Sequence, residues 1–177
     1  MQRPPSSQLG AWSRVATPFG VFHVAAVDGA IVQTALPQTP TARFLEDLQL
    51  RFPSTLFQED PSDPLLQDAS RELSEYAGGK RRDFDLPLRF EGTEFQNRVW
   101  HALAEIPFGQ TRSYQDIARA VGRPGASRAV GQANHDNPLA PIVPCHRVVT
   151  SAGQLGGYGG GMTLKKSLLE HEGVQLG

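Results

Sequence analysis

One cysteine, Cys145, is the only thiol in 177 residues. A single thiol makes no internal disulfide, and a free one suits a reducing compartment, so a cytoplasmic location is expected. Long apolar runs are missing too. No stretch approaches the roughly 18 residues that cross a bilayer. The opening MQRPPSSQLGAWSR lacks the apolar centre of a secretory signal. No membrane partner is therefore expected. Net charge is only −1, which speaks against a uniformly basic nucleic-acid binder. The charge is unevenly spread, however. From Glu46 to Glu75 eight acidic residues stand against two basic, a net of −6; from Arg98 to Arg128 five basic stand against two acidic, a net of +3. Such segregation gives one face a positive field on a nearly neutral molecule, although two solvated surfaces of unequal sign produce the same pattern. Internal repeats are absent, and the length fits one or two domains.

Local signals divide the chain. Residues 1–10, rich in Pro, Ser and Gln, predict a flexible tail. Two apolar, β-branched runs in GVFHVAAVDGAIVQTAL flank Asp28-Gly29, a hairpin signal because a type I′ turn needs positive φ at both central positions. TARFLEDLQLRF and DPLLQDASRELSEYAGG have helical spacing, with Leu65, Leu66, Ala69, Leu73 and Tyr76 on one stripe. RRDFDLPLRF is a further strand or an extended linker, Pro87 favouring an edge or no sheet. These elements predict an α/β N-terminal domain over 11–90, a small antiparallel sheet plus helices. Residues 91–177 are expected to be mainly helical.

In that second half, Thr93 and Gln96 stand at capping-box spacing before an apolar stripe of Phe95, Val99, Ala102, Leu103 and Ile106. Ser113 and Asp116 open a second short helix that ends at Gly122; a third runs through ASRAVGQANHDNP to Asn137-Pro138. Two short helices joined by a Gly-containing turn fit a helix-turn-helix, though many such hairpins never meet DNA. APIVPCHRVVT then predicts a short extended stretch, SAGQLGGYGGG a glycine loop, and MTLKKSLLEHEG a final helix with Leu164, Leu168 and Leu169 inside.

A lone cysteine is most often a small buried hydrophobe. Here His146 follows it directly, and a loop whose glycines allow close backbone approach comes next. A thiolate nucleophile needs a base, and His146 is the nearest. On a strand, neighbouring side chains point to opposite faces. Either the strand breaks after Pro144, or a water carries the proton between Cys145 and His146. A third group should orient the imidazole. Glu170 and Glu172 on the last helix both qualify by position. GGYGGG matches no nucleotide-binding fingerprint.

PCHRVV, the upstream NP, the downstream GGYGGG and the final LLEHEG, together with FQNRVWHALAEIPFGQTRSYQDIA and ASRAVGQANHDNP, resemble the 6-O-alkylguanine-DNA alkyltransferases over about residues 90–173. The resemblance implies a winged-helix-like DNA-binding domain over 91–177, in a DNA repair protein that flips an alkylated guanine from duplex and takes the alkyl group irreversibly onto its own cysteine. Cys145 is then the acceptor, His146 the base acting through a water, and Glu172, rather than Glu170, the orienting carboxylate. Asn137 links the recognition helix to the active segment. Tyr158 donates to the guanine oxygen, and the backbones of Val148 and Gly159 line the pocket. Tyr114, with Ser113 beside it, crowds the phosphate at the lesion. Arg128 enters the base stack, and the small residues Ala129 and Gly131 let the helix sit in the minor groove, which discriminates poorly among sequences. The implied partner is double-stranded DNA, bound by a monomer, with cooperativity left open.

No cofactor is implied, since the alkyl group arrives with the DNA. No metal is implied either: the zinc site that some relatives build from N-terminal cysteines and histidines has no counterpart in a half with His23 and no cysteine. Some relatives carry Ser where this chain has Gly159, which predicts a roomier pocket. Three rivals are a damage binder without transfer, a Cys-His hydrolase, and a winged-helix regulator of undamaged operators.

Overall fold

The structure, a computed structural model, describes residues 8–177. It divides into one unit ending at Arg89 and another running from Phe90 to Gly177.

In the first unit, β1 (Gln8–Thr17), β2 (Gly20–Val27) and β3 (Ala30–Ala35) form an antiparallel meander. The predicted turn is present, with Asp28 at φ 50° and Gly29 at φ 72°. Two features differ from expectation. Gln8, Leu9 and Gly10, assigned to the tail, begin β1; the rest of that tail lies outside the described residues. And β4 (Thr55–Glu59) joins β1 in parallel, from Gln8 opposite Thr55 to Trp12 opposite Glu59, so the sheet is mixed, in the order β3-β2-β1-β4. A parallel pair needs a long crossover. Here α1 (Thr41–Arg51) lies within it.

Every residue of β2 from Phe22 to Val27 is buried, the pattern of a strand covered on both faces. α1 lays Phe44 and Leu48 on Trp12, Ala25, Val27 and Val32. α2 (Pro64–Ala77) packs on β1 and β2, burying Leu66, Ala69, Leu73 and Tyr76. Asp63 caps α2 by accepting from the Leu66 backbone N–H at 3.0 Å. The 81–90 segment is held by backbone and side chain alike, Ile31 donating to the Pro87 carbonyl at 2.8 Å and accepting from the Arg89 N–H at 3.0 Å. Buried Glu72 accepts from the Asp85 backbone N–H at 2.8 Å, and Leu88 makes a single parallel bridge to Ile31.

In the second unit, α3 (Glu94–Ala104) carries the full Thr93–Gln96 capping box, and Trp100 on it donates to the Ala133 carbonyl at 2.8 Å. β5 (Arg112–Ser113) leads into α4 (Tyr114–Ala120), capped by Ser113 and Asp116. After Gly122, at φ 75°, α5 (Ser127–His135) stops two residues short of Asn137. The stretch expected to be extended is mostly turn. Only Val148–Val149 forms a strand, β6, parallel to β5. α6 (Met162–His171) closes the chain, burying Leu164, Leu168 and Leu169 as its spacing predicts. Among the described residues no helix is long and apolar enough to cross a membrane.

Candidate active site

The strand question at Cys145 has a definite answer. Residues 138–143 are turn and bend rather than strand, and Cys145–Arg147 form one turn of 3₁₀ helix before β6. The turn buries three consecutive polar side chains. Cys145 is 4% exposed, His146 0% and Arg147 6%.

Buried charge survives only when it is paired, and Glu172 is the common partner. It caps the C-terminus of α6. Its Oε1 lies 2.8 Å from His146 Nε2 and 3.0 Å from Arg147 Nη2; its Oε2 accepts from Arg147 Nε at 2.9 Å and from the Gly109 N–H at 3.3 Å. Arg147 also donates to the Ile106 carbonyl, with its guanidinium 5.8 Å from the centre of the Phe108 ring. Glu170 is exposed and sits 3.8 Å from Lys166. Of the two glutamates, only Glu172 reaches the imidazole.

These contacts fix protonation. Burial opposes ionisation of Glu172, but hydrogen bonds from His146 and Arg147 outweigh it and hold the carboxyl well below its usual range. Burial pulls His146 down in spite of Glu172, so the ring is neutral near pH 7. An ionised carboxylate only accepts, so the proton sits on Nε2 and Nδ1 keeps its lone pair. Nδ1 is buried with no hydrogen-bond partner among the described residues. The imidazole is thus a neutral base with its free nitrogen held in place from behind.

Burial pushes the Cys145 thiol up, opposed by hydrogen bonds from Asn137 and Tyr158 and by the charge of Lys165. The resting group is a thiol, and it becomes nucleophilic when a base takes its proton. Asn137 also donates to the Val143 carbonyl at 2.8 Å and accepts from the Leu139 N–H at 3.0 Å, so it spans the end of α5 and the thiol segment.

Three contributors were not legible as site residues. Lys165 is fully buried, with Nζ donating to the carbonyls of Val148 at 2.6 Å, Leu155, and Gly157 at 3.3 Å. It fastens the glycine loop to β6, and burial brings its pKa down to about 8. Asn134 donates to the Cys145 carbonyl at 3.3 Å, and Arg147 braces Glu172. A usable signal existed for Lys165, which with Leu168 and Glu172 follows i, i+3, i+7 spacing on one face of α6.

Tyr114 is half-buried. A side chain added at Gly156 would place its Cβ 2.9 Å from the Tyr114 hydroxyl, and one at Gly131 would lie 3.8 Å from the ring. Tyr114 therefore packs between α5 and the loop that carries Tyr158. Ser113 accepts from the Asp116 N–H at 3.0 Å, leaving its own hydroxyl hydrogen to donate. Arg128 and Ala129 are exposed on the first turn of α5. A Cβ at Gly159 would meet only the His135 ring, at 3.9 Å. A groove of about 1080 Å³ between α3, β5 and α4 is bordered by Arg98, Glu105 and Ile117 and does not touch Cys145. Among the described residues no group of three or more His, Cys, Asp or Glu is placed to hold a metal ion.

A thiol backed by a neutral imidazole and a buried carboxylate, in the same unit as two short helices turning at Gly122, defines a nucleophilic cysteine protein on a helix-turn-helix scaffold. Residues 94–174 match the 6-O-methylguanine DNA methyltransferase DNA binding domain, and residues 11–90 match the ribonuclease-like domain of the same proteins. The chain belongs to the 6-O-methylguanine DNA methyltransferase family. It is 42% identical over 151 residues to the inducible methylated-DNA–protein-cysteine methyltransferase of Bacillus subtilis, covering 85% of this chain and 83% of that one. A Mycobacterium leprae methylated-DNA–protein-cysteine methyltransferase is 53% identical over 116 residues, 66% of this chain and 70% of the other. Mycobacterium tuberculosis OGT in complex with DNA superposes with a TM-score of 0.80 at 38% identity, covering 92% of each chain.

Proposed function

We propose that this protein repairs 6-O-methylguanine, and other 6-O-alkylguanines, in double-stranded DNA by moving the alkyl group onto Cys145, one turnover per molecule, in the cytoplasm. The observation that carries the reading is the Cys145 thiol ahead of His146, whose Nε2 is held by Glu172 at 2.8 Å. The thiol proton passes through one water to His146 Nδ1, and Glu172 stabilises the imidazolium that forms. Sulfur forms a bond to the methyl carbon as the carbon–oxygen bond breaks, and the electron pair remains on the guanine. The Tyr158 hydroxyl hydrogen-bonds that oxygen as charge develops. Asn137 keeps the thiol segment in register with α5, and the backbones of Val148 and Gly159 line the guanine. S-methylcysteine is a thioether with no proton to give, so the acceptor is spent.

The methyl carbon is unreachable inside a duplex, and extrusion costs a few kcal/mol. Arg128 offsets part of that by entering the stack. Tyr114 and Ser113 press on the flanking phosphate, while Ala129 and Gly131 allow close approach in the minor groove. The decisive test is intact-mass and peptide mapping after incubation with duplex containing 6-O-methylguanine. The Cys145 peptide should gain one CH₂, about 14 Da, and Cys145→Ser should gain nothing. Repeated turnover at unchanged mass would point to a hydrolase, and binding without mass gain to a damage sensor.

A further inference from the structure

We infer that His135 is a DNA-contacting residue, its imidazole N–H donating to a phosphodiester oxygen beside the extruded nucleotide. This deepens the reading above and rests on it. Arg128, Gly131 and His135 follow i, i+3, i+7 spacing, which puts them on one face of α5. Seven residues span about 10 Å along the axis. Gly131 locates that face, since its missing side chain looks onto Tyr114. His135 locates its far end, with Nδ1 3.9 Å from where a Cβ at Gly159 would stand. Gly159 adjoins Tyr158, whose hydroxyl favours the ionised form of Cys145.

The imidazole therefore lies where the end of α5 meets the loop over Cys145. It is exposed, and neither ring nitrogen has a hydrogen-bond partner among the described residues. The neighbouring carboxylate, Asp136, is engaged elsewhere, accepting from Gln132 at 3.0 Å and Gln96 at 3.4 Å. Any nucleotide leaving the stack beside Arg128 for Cys145 draws its backbone past this junction. A side chain with a free N–H and no internal partner is suited to hold a phosphate there.

The test uses full-length protein and lesion-containing duplexes in which single phosphates are replaced by uncharged methylphosphonates. His135→Ala should slow duplex repair about tenfold and leave reaction with free 6-O-methylguanine base unchanged. His135→Gln, which keeps a donor, should recover most of the loss. One methylphosphonate position should cost the wild type a similar factor and cost His135→Ala nothing further. Equal losses on duplex and free base, full activity of His135→Ala, or additive losses at every phosphate would each overturn the assignment. Lesion-duplex affinity, measured in a Cys145→Ser background, reads the same contact without transfer. A wild type that never alkylates Cys145 thus sinks the repair reading alone.

Discussion

The two units bury charge differently. In the unit ending at Arg89, ion pairs lie mostly at the surface. Arg14 and Glu59 meet at 2.6 Å with side chains 52% and 42% exposed, a setting worth about 0–1 kcal/mol. Its buried carboxylate, Glu72, is a structural brace for the 81–90 segment. In the unit from Phe90 onward, His146, Arg147, Lys165 and Glu172 are all buried, together with the only thiol. Buried pairs repay their desolvation only with near-ideal geometry, and apolar replacements of equal volume are often as stable or more so. The first unit is arranged as a stable sheet would be. The second holds a polar interior that stability alone does not require but a base and its orienting carboxylate do.

Breaking that interior should produce the largest effect. Glu172→Gln removes the charge that compensates Arg147 and steadies His146. A melt should show the second unit destabilised by about 3–5 kcal/mol, and alkyl transfer should slow at least a hundredfold. If the first unit alone melted earlier, the comparison would be reversed. Next is Arg128→Ala, on the surface of the same unit. Duplex repair should slow by about tenfold or more, with reaction of the free alkylated base preserved and the melt unchanged. Equal losses on both substrates would refute its place in the stack.

Acid separates the units more gently. Burial lowers the pKa of His23, which sits 2.8 Å from the Thr41 hydroxyl and 5.1 Å, ring to ring, from Phe44. The unfolded chain takes up a proton near pH 6.5 that folded His23 refuses, so stability is complete above that value and declines as pH falls, by at most about 1.4 kcal/mol per pH unit. His146 acts in the same sense in the second unit. Glu172, held low, adds stability that is present above about pH 4.3 and lost below it. The chain's two tryptophans, Trp12 and Trp100, report one unit each. With Trp100→Phe as background, His23→Gln should flatten the pH dependence seen at Trp12 without changing transfer. The smallest effect belongs to Glu170→Gln. Stability should move by less than about 0.5 kcal/mol and the transfer rate not at all, which is the sharpest contrast with Glu172 two residues away.

Where the sequence was legible, the information was local. Thr93 with Gln96, Ser113 with Asp116, and Asp28-Gly29 each fix a boundary by hydrogen bonds or dihedrals that neighbouring residues alone decide. β4 was not legible, because its strand partner among the described residues is β1, dozens of residues away, and nothing in TLFQE announces a parallel pairing. At the site, Cys145 and His146 stood out by adjacency. Asn134 did not, because it acts on a backbone carbonyl that carries no sequence signature, and Lys165 showed only through its spacing with Leu168 and Glu172.

The order of residues alone determined the chemistry available: one thiol, an imidazole beside it, a glycine loop, and the capping boxes that open α3 and α4. Tertiary structure decided which glutamate the imidazole meets, that a 3₁₀ turn rather than a strand carries Cys145, and that Lys165 is the tie between loop and strand. Those outcomes depend on the burial of groups that lie far apart in the chain, where a charge left without its partner costs more than the fold can spare.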